Sequence, residues 1–211
     1  MELVERDYKI FREIERWRFC LGRHIQFLAG FPSQRTCDRR LHWLLSEGFL
    51  SRKIVIYGVP SVYLLTRKSK TLIFANQRQE QIRLDQIMHD ITVLDIAICM
   101  MKLLNLNPED IKTEKQLHQM DGFGKRTHHP DFIFTKDHRT YCIEVELSLK
   151  SKARLEKNIK SNFMIYDVQI WATDKEAHKL IHLLEEFKIQ YPNIEITNIK
   201  EVKDEILEFI N

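Results

Sequence analysis

The sequence predicts an α+β (α/β) chain in two parts. A basic module of three helices and a β-hairpin covers residues 1–70, and an α/β sandwich around a central mixed sheet covers residues 82–211. Three observations predict it. Apolar residues recur at helical spacing in three successive segments up to Ser46, then give way to two β-rich runs about a Gly58-Val59-Pro60-Ser61 turn. From Arg83 onward, helical and strand-like stretches alternate. Charge divides the same way: residues 1–70 hold 14 Lys/Arg against 7 Asp/Glu, whereas residues 71–211 hold 19 against 23. The basic half suits a polyanion, and the acidic half suits a cation.

Taken in order, Tyr8, Phe11, Ile14 and Trp17 mark a first amphipathic helix from Glu5 to Phe19. A second, Leu21 to Ala29 with Ile25 and Leu28 inward, stops at Gly30-Phe31-Pro32. Ser33 is the N-cap of a third, Gln34 to Ser46, which buries Leu41, Leu44 and Leu45 and ends at Gly48. Phe49–Tyr57 and Val62–Thr66 then form the hairpin. Three helices and a hairpin in this order are a winged helix-turn-helix. Ser33, Gln34, Arg35, Arg39 and Arg40 occupy the first turns of the third helix, where a recognition helix meets bases and phosphates, and Arg52, Lys53, Arg67 and Lys68 flank the wing. These residues are the expected contacts to double-stranded DNA.

Residues 67–81 are polar apart from Leu72-Ile73-Phe74 and read as a linker. A long helix follows from about Arg83 to Leu104, with Leu84, Ile87, Met88, Ile91, Leu94, Ile98 and Met101 on one face and His89 and Asp90 on its polar side. Ile111 to Leu117 reads as a strand. Gly122-Phe123-Gly124-Lys125 lacks the spacing and the Ser/Thr of a phosphate loop and reads as a plain loop. After two further strands, treated next, come a helix from Ser151 to Tyr166 with Leu155, Ile159 and Phe163 inward, and a strand from Asp167 to Ala172. Thr173-Asp174-Lys175-Glu176 is a capping box for a helix to Phe187, and Ile194–Ile199 and Val202–Ile210 supply a last strand and a last helix.

The two strands after the loop carry the chemistry. Asp131-Phe132-Ile133-Phe134 and Tyr141-Cys142-Ile143-Glu144-Val145-Glu146-Leu147 are joined by the polar turn Lys136-Asp137-His138-Arg139. Alternation sends Tyr141, Ile143, Val145 and Leu147 to one face and Cys142, Glu144 and Glu146 to the other, so the two acids point the same way, roughly 7 Å apart. If the strands pair, Asp131 joins them. Three carboxylates at one sheet edge repel one another unless a cation sits among them, and oxygen-only ligands suit Mg2+ or Mn2+. His128 and His129, just before this strand, are candidates to touch phosphate or to support the acids.

Pro130-Asp131, Glu144-Val145-Glu146 and the nearby Lys150 together resemble the PD-(D/E)xK nuclease fold of restriction endonucleases. The resemblance implies that Asp131, Glu144 and Glu146 hold the metal, that a metal-bound water attacks phosphorus, and that a lysine steadies the phosphate. Glu146 stands where that family keeps its lysine, so Lys150 is the expected substitute, with Lys152 or Lys157 on the following helix behind it. With the winged helix and His89-Asp90-Ile91 included, the whole chain resembles the replication-relaxation proteins and the MobC-class relaxases of mobile plasmids. That resemblance implies binding at a transfer origin, metal-dependent nicking of one strand, relaxosome partner proteins, and structural rather than nucleophilic roles for Tyr141 and Tyr166. Two alternatives stand beside it: a DNA-binding accessory protein whose nuclease-like domain is degenerate, and a restriction-type endonuclease acting on both strands as a homodimer.

Composition excludes other classes. No apolar run approaches the roughly 18 residues of a membrane span, and Met1-Glu2-Leu3-Val4-Glu5-Arg6 lacks the order of a signal peptide, so a cytoplasmic chain with no membrane partner is expected. Cys20, Cys37, Cys99 and Cys142 are too scattered for a zinc knuckle or a disulfide framework.

Overall fold

The computed structural model describes residues 2–78, 82–121 and 127–208. It is a mixed α/β chain that divides into two compact units, Met1–Leu94 and Asp95–Asn211.

In the first unit the order is α1 (Glu5–Trp17), β1 (Cys20–Leu21), α2 (Gly22–Leu28), α3 (Gln34–Ser46), β2 (Leu50–Lys53), β3 (Val62–Leu65) and α4 (Arg67–Leu72). The three helices stand where the sequence predicts them, the first strand of the hairpin ends at Lys53 rather than Tyr57, and β1 adds a third strand in the order β1-β3-β2, antiparallel throughout. Turn chemistry explains the boundaries. Ser33 accepts the Thr36 N–H at the start of α3, and Gly30 and Gly48 take positive φ just past α2 and α3, where a Cβ would be strained. Asp7 holds the start of α1 by accepting the Val4 N–H at 2.8 Å. Phe19, Leu21, Val62, Ile87 and Ile91 form a buried cluster in this unit.

The expected linker is partly folded. Residues 67–72 are the helix α4, and the Lys70 side chain is buried with its ammonium donating to the Arg78 carbonyl. The polar run thus contains a helix, and one of its lysines is satisfied in the interior. The long helix α5 (Ile87–Leu104) begins later than predicted, which leaves Leu84 outside it, and Met88, predicted to face inward, is exposed within it.

The second unit holds β4 (Lys112–Thr113), α6 (Glu114–Met120), β5 (Phe132–Lys136), β6 (Arg139–Glu146), α7 (Lys152–Phe163), β7 (Val168–Thr173), α8 (His178–Gln190), β8 (Ile194–Asn198) and α9 (Ile199–Glu208). Its sheet has the order β4-β5-β6-β7-β8, antiparallel for the first three strands and parallel from β6 to β8. The parallel strands are linked by α7 and α8, as crossovers require. Leu155 and Ile159 of α7 meet Leu180, Leu184 and Phe187 of α8 over Trp171 and Ile194, each buried side chain contributing about 1.5–3 kcal/mol.

Three sequence readings change here. The segment 111–117 is mostly the helix α6, because Thr113 and Gln116 cap each other: Gln116 N–H donates to Thr113 Oγ1 at 3.4 Å and Thr113 N–H to Gln116 Oε1 at 3.0 Å. Thr173 does not cap α8; it is the buried last residue of β7, paired with both Glu146 and Asn198. Phe163 turns outward, and Asn158 and Asn162 share the buried face of α7 with Leu155 and Ile159. The Gly122–Lys125 loop lies outside the described residues.

Candidate functional site

Register builds the acidic site. Asp137 and His138 both take positive φ, 50° and 61°, and make the two-residue turn that pairs Lys136 with Arg139 and Phe132 with Ile143. Continuing that register sets Asp131 opposite Glu144. The Asp131 N–H donates to the Ile143 carbonyl at 3.1 Å, and the Val145 N–H donates to Asp131 Oδ2 at 2.7 Å, so Asp131 is held from both sides of Glu144. Glu144 is 5% exposed. Its Oε1 lies 2.7 Å from His128 Nε2 and accepts from Asn162 Nδ2 at 2.9 Å. Burial pushes the Glu144 carboxyl up and the Asp131 charge adds to this, while the His128 and Asn162 hydrogen bonds pull it back.

Glu146, one pleat further on, is also buried and makes an ion pair with Lys150 from just beyond the strand. Its register neighbour on β7 is Thr173, whose buried Oγ1 meets no hydrogen-bond partner among the described residues. The structure thus brings together Asp131, Glu144 and His128, and separately Glu146 and Lys150. The other two lysines stand apart: Lys152 donates to Glu186 at 3.0 Å beside the Phe187 ring, and Lys157 is exposed on α7. Tyr141 stacks on Phe134 with ring centroids 4.9 Å apart, and Tyr166 is buried.

A second cluster forms from residues that the sequence reading largely passed over. His118 near the end of α6, Asp121 just after it and His129 before β5 bring their donor atoms within 4.8 Å of one another, and they are the three-residue group of this kind among the described residues. His129 Nε2 is 2.6 Å from Asp121 Oδ2, His118 Nδ1 is 3.5 Å from the same oxygen, and Thr127 Oγ1 donates to it at 3.2 Å. The two imidazoles meet edge to face with centroids 4.7 Å apart. The His129 hydrogen bond holds the Asp121 carboxyl below its ordinary value. His118 and Asp121 are three positions apart, a helical spacing, but reading 111–117 as a strand concealed it.

In the first unit, Ser33 is spent on capping, Gln34 bonds Asp38 at 2.7 Å, and Arg35 and Arg39 are exposed on α3. Arg52 and Lys53 are exposed along β2, and Arg67 is exposed on α4. Arg40 is corrected. It turns inward to fork onto the fully buried Asp7, with Nε 2.8 Å from Oδ1, donates to the Glu2 carbonyl at 2.8 Å, and covers the Trp43 ring. It joins α3 to α1 and is not part of an exposed basic face. Lys68 is likewise engaged, with the Glu47 carbonyl at 2.8 Å and the Phe49 ring. His89 and Asp90 sit on α5 with His89 Nδ1 3.3 Å from Asp90 Oδ1.

No described helix is long and apolar enough to cross a membrane. Compared with known proteins, the chain matches no family model and no curated sequence.

Proposed function

We propose that the chain binds duplex DNA through its N-terminal unit and hydrolyses a phosphodiester bond with the carboxylates of its C-terminal unit, as a metal-dependent nickase of the relaxase type. The observation that carries this reading is the register that sets Asp131 against the buried Glu144. Two carboxylates confined together, with burial raising one of them, are relieved by a hard divalent cation. Asp131 and Glu144 fit Mg2+ or Mn2+ on donor chemistry, since both offer oxygens; Glu146, paired with Lys150, and the Thr173 hydroxyl beside it, which has bonding capacity to spare, stand one pleat further along the strands. When bound, such an ion supplies a hydroxide at neutral pH and neutralises phosphate charge. His128 and Asn162 fix the Glu144 carboxylate, and Lys150 carries positive charge to the end of β6, where a phosphate oxygen would be met. The strand order, with three antiparallel strands followed by helical crossovers, supports a nuclease-like core. Exposed Arg35, Arg39, Arg52 and Lys53 support phosphate contacts by the N-terminal unit.

Nicking of supercoiled plasmid carrying a mobilisation origin, in Mn2+ or Mg2+, tests the reading. Relaxed product is expected with the intact chain and not with the Asp131→Ala, Glu144→Ala double variant. Equal nicking by that variant, or none by the intact chain, overturns it. One observation favours a second reading, a DNA-binding accessory protein with a degenerate nuclease domain: the Lys150 ammonium is already paired with Glu146. Under that reading DNA is bound and origin-bound partner proteins are recruited, but no strand is cut.

A further inference from the structure

We propose that His118, Asp121 and His129 form a separate site for a borderline divalent cation, with Zn2+ the best match. Two imidazole nitrogens and one carboxylate oxygen converge within 4.8 Å, from the end of α6 on one side and the segment entering β5 on the other. Without a cation the arrangement asks one oxygen, Asp121 Oδ2, to serve His129, Thr127 and His118 together. With one, each ligand meets the ion. Tetrahedral zinc sites keep nitrogen and oxygen donors about 2.0–2.2 Å from the metal, hence about 3.3 Å from one another, so the 2.6 Å His129–Asp121 contact opens slightly and the 3.5 Å His118–Asp121 contact closes slightly.

The surroundings suit a ligand role. His118 Nε2 lies 3.6 Å from Glu114 Oε1, one helical turn back on α6. A proton on Nε2 facing that carboxylate leaves the Nδ1 lone pair directed to the Asp121 side, and a closure of a few tenths of an ångström would complete the carboxylate–histidine–metal relay common in zinc sites. Three protein ligands leave a fourth position for water, as in catalytic rather than closed structural sites. The donor set also separates this site from the acidic one. Nitrogen ligands select zinc and its neighbours, whereas Asp131, Glu144 and Glu146 offer oxygen alone and suit Mg2+ or Mn2+.

The position gives the site a purpose. His129 follows His128, which holds Glu144, and precedes Asp131 by two residues. An ion on His118, Asp121 and His129 fastens the end of α6 to this segment and so steadies the approach of Asp131 and His128 to β6.

The test is calorimetric titration of Zn2+ into the untagged, chelator-stripped full chain with excess Mg2+ present, with Co2+ absorption as a second readout of tetrahedral coordination. One Zn2+ per chain is expected, and His118→Ala and His129→Ala should each weaken it at least about tenfold. Asp131→Asn should leave the Zn2+ affinity unchanged, which separates this site from the acidic one. Zn2+ should raise the melting midpoint of the intact chain and not that of His118→Ala. The His118 side chain is 42% exposed, so that variant is expected to keep the fold and decides the matter if His129→Ala does not fold. No saturable heat, unchanged affinity in His118→Ala, or loss in Asp131→Asn instead overturns the proposal.

Discussion

His128 Nε2 and Glu144 Oε1 are 2.7 Å apart, and Asn162 of α7 reaches the same oxygen from the other side. An acid on the buried face of a sheet is thereby fixed by a loop and by a helix. Its environment also sets a pH dependence. Burial raises the folded-state value of Glu144 above that of the unfolded chain, so the folded state holds the proton more tightly. Stability from this group is fully present below the ordinary Glu value of about 4.3 and is lost as pH rises through the raised folded value. Glu144→Gln keeps the acceptor for Asn162 and cannot ionise. In chelator at neutral pH the variant is expected to melt higher than the wild type, with the gap closing as pH falls toward about 4. Mn2+ should then raise the wild type alone. Thermal melts across pH check this, and a variant that melts lower at neutral pH refutes the account.

Arg40 makes a different kind of contact from its neighbours. Asp7 is fully buried and depends on the Arg40 fork, which also raises the guanidinium's own affinity for its proton. Removing one partner of a buried pair leaves an uncompensated charge and costs about 3–5 kcal/mol. Arg40→Ala is therefore expected to lower stability by that amount in urea unfolding. Replacing both residues together, Asp7→Leu with Arg40→Met, should recover most of the loss, and failure to recover any of it would show that the pair is not the cause.

Arg35 and Arg39, one turn apart on the exposed side of α3, should behave oppositely. Each Ala variant is expected to change stability by less than about 0.5 kcal/mol. Each should weaken duplex DNA binding across sequences or relax preference at one base, and each lost phosphate contact lowers the salt slope of binding by about 1. Fluorescence anisotropy at several salt concentrations measures both. Unchanged slopes and affinities in the double variant would move the DNA contact elsewhere.

These contrasts show where the sequence was readable. The hairpin of β5 and β6 was legible because strict alternation and a two-residue polar turn leave one register that buries Phe132, Phe134 and Ile143. The third helix was legible from Ser33 to Gly48 because both ends carry their own capping chemistry. What escaped depended on contacts distant in sequence. Nothing near Arg40 announces Asp7, 33 residues earlier, and nothing near Asn162 announces Glu144, 18 residues earlier. α6 escaped for a local reason: Ile111 and Leu117 suggested a strand, while the stronger signal was the Thr113–Gln116 cap. With that helix hidden, His118 and Asp121 were not seen as neighbours of His129.

The Asp137-His138 turn offers a direct test of how the acidic site is positioned. Both residues have left-handed backbone, which costs a residue with a Cβ about 1–2 kcal/mol, less for Asp than for His. Asp-Gly is the preferred pair for this turn, so His138→Gly relieves strain at the second position while adding unfolded-state entropy. The net expectation is a gain of about 0.5–1 kcal/mol, seen as a higher urea midpoint at unchanged slope. Inserting one Gly between Asp137 and His138 should do the reverse. A one-residue slip would turn Asp131 away from the face that carries Glu144 and send the Phe132 and Phe134 side chains out of the core, so the chain must either bulge locally or lose the site. Stability is therefore expected to fall, and with it any Mn2+-induced rise in melting midpoint. Equal stability and an equal Mn2+ response in the insertion variant would mean that the register of Asp131 against Glu144 is set by something other than this turn.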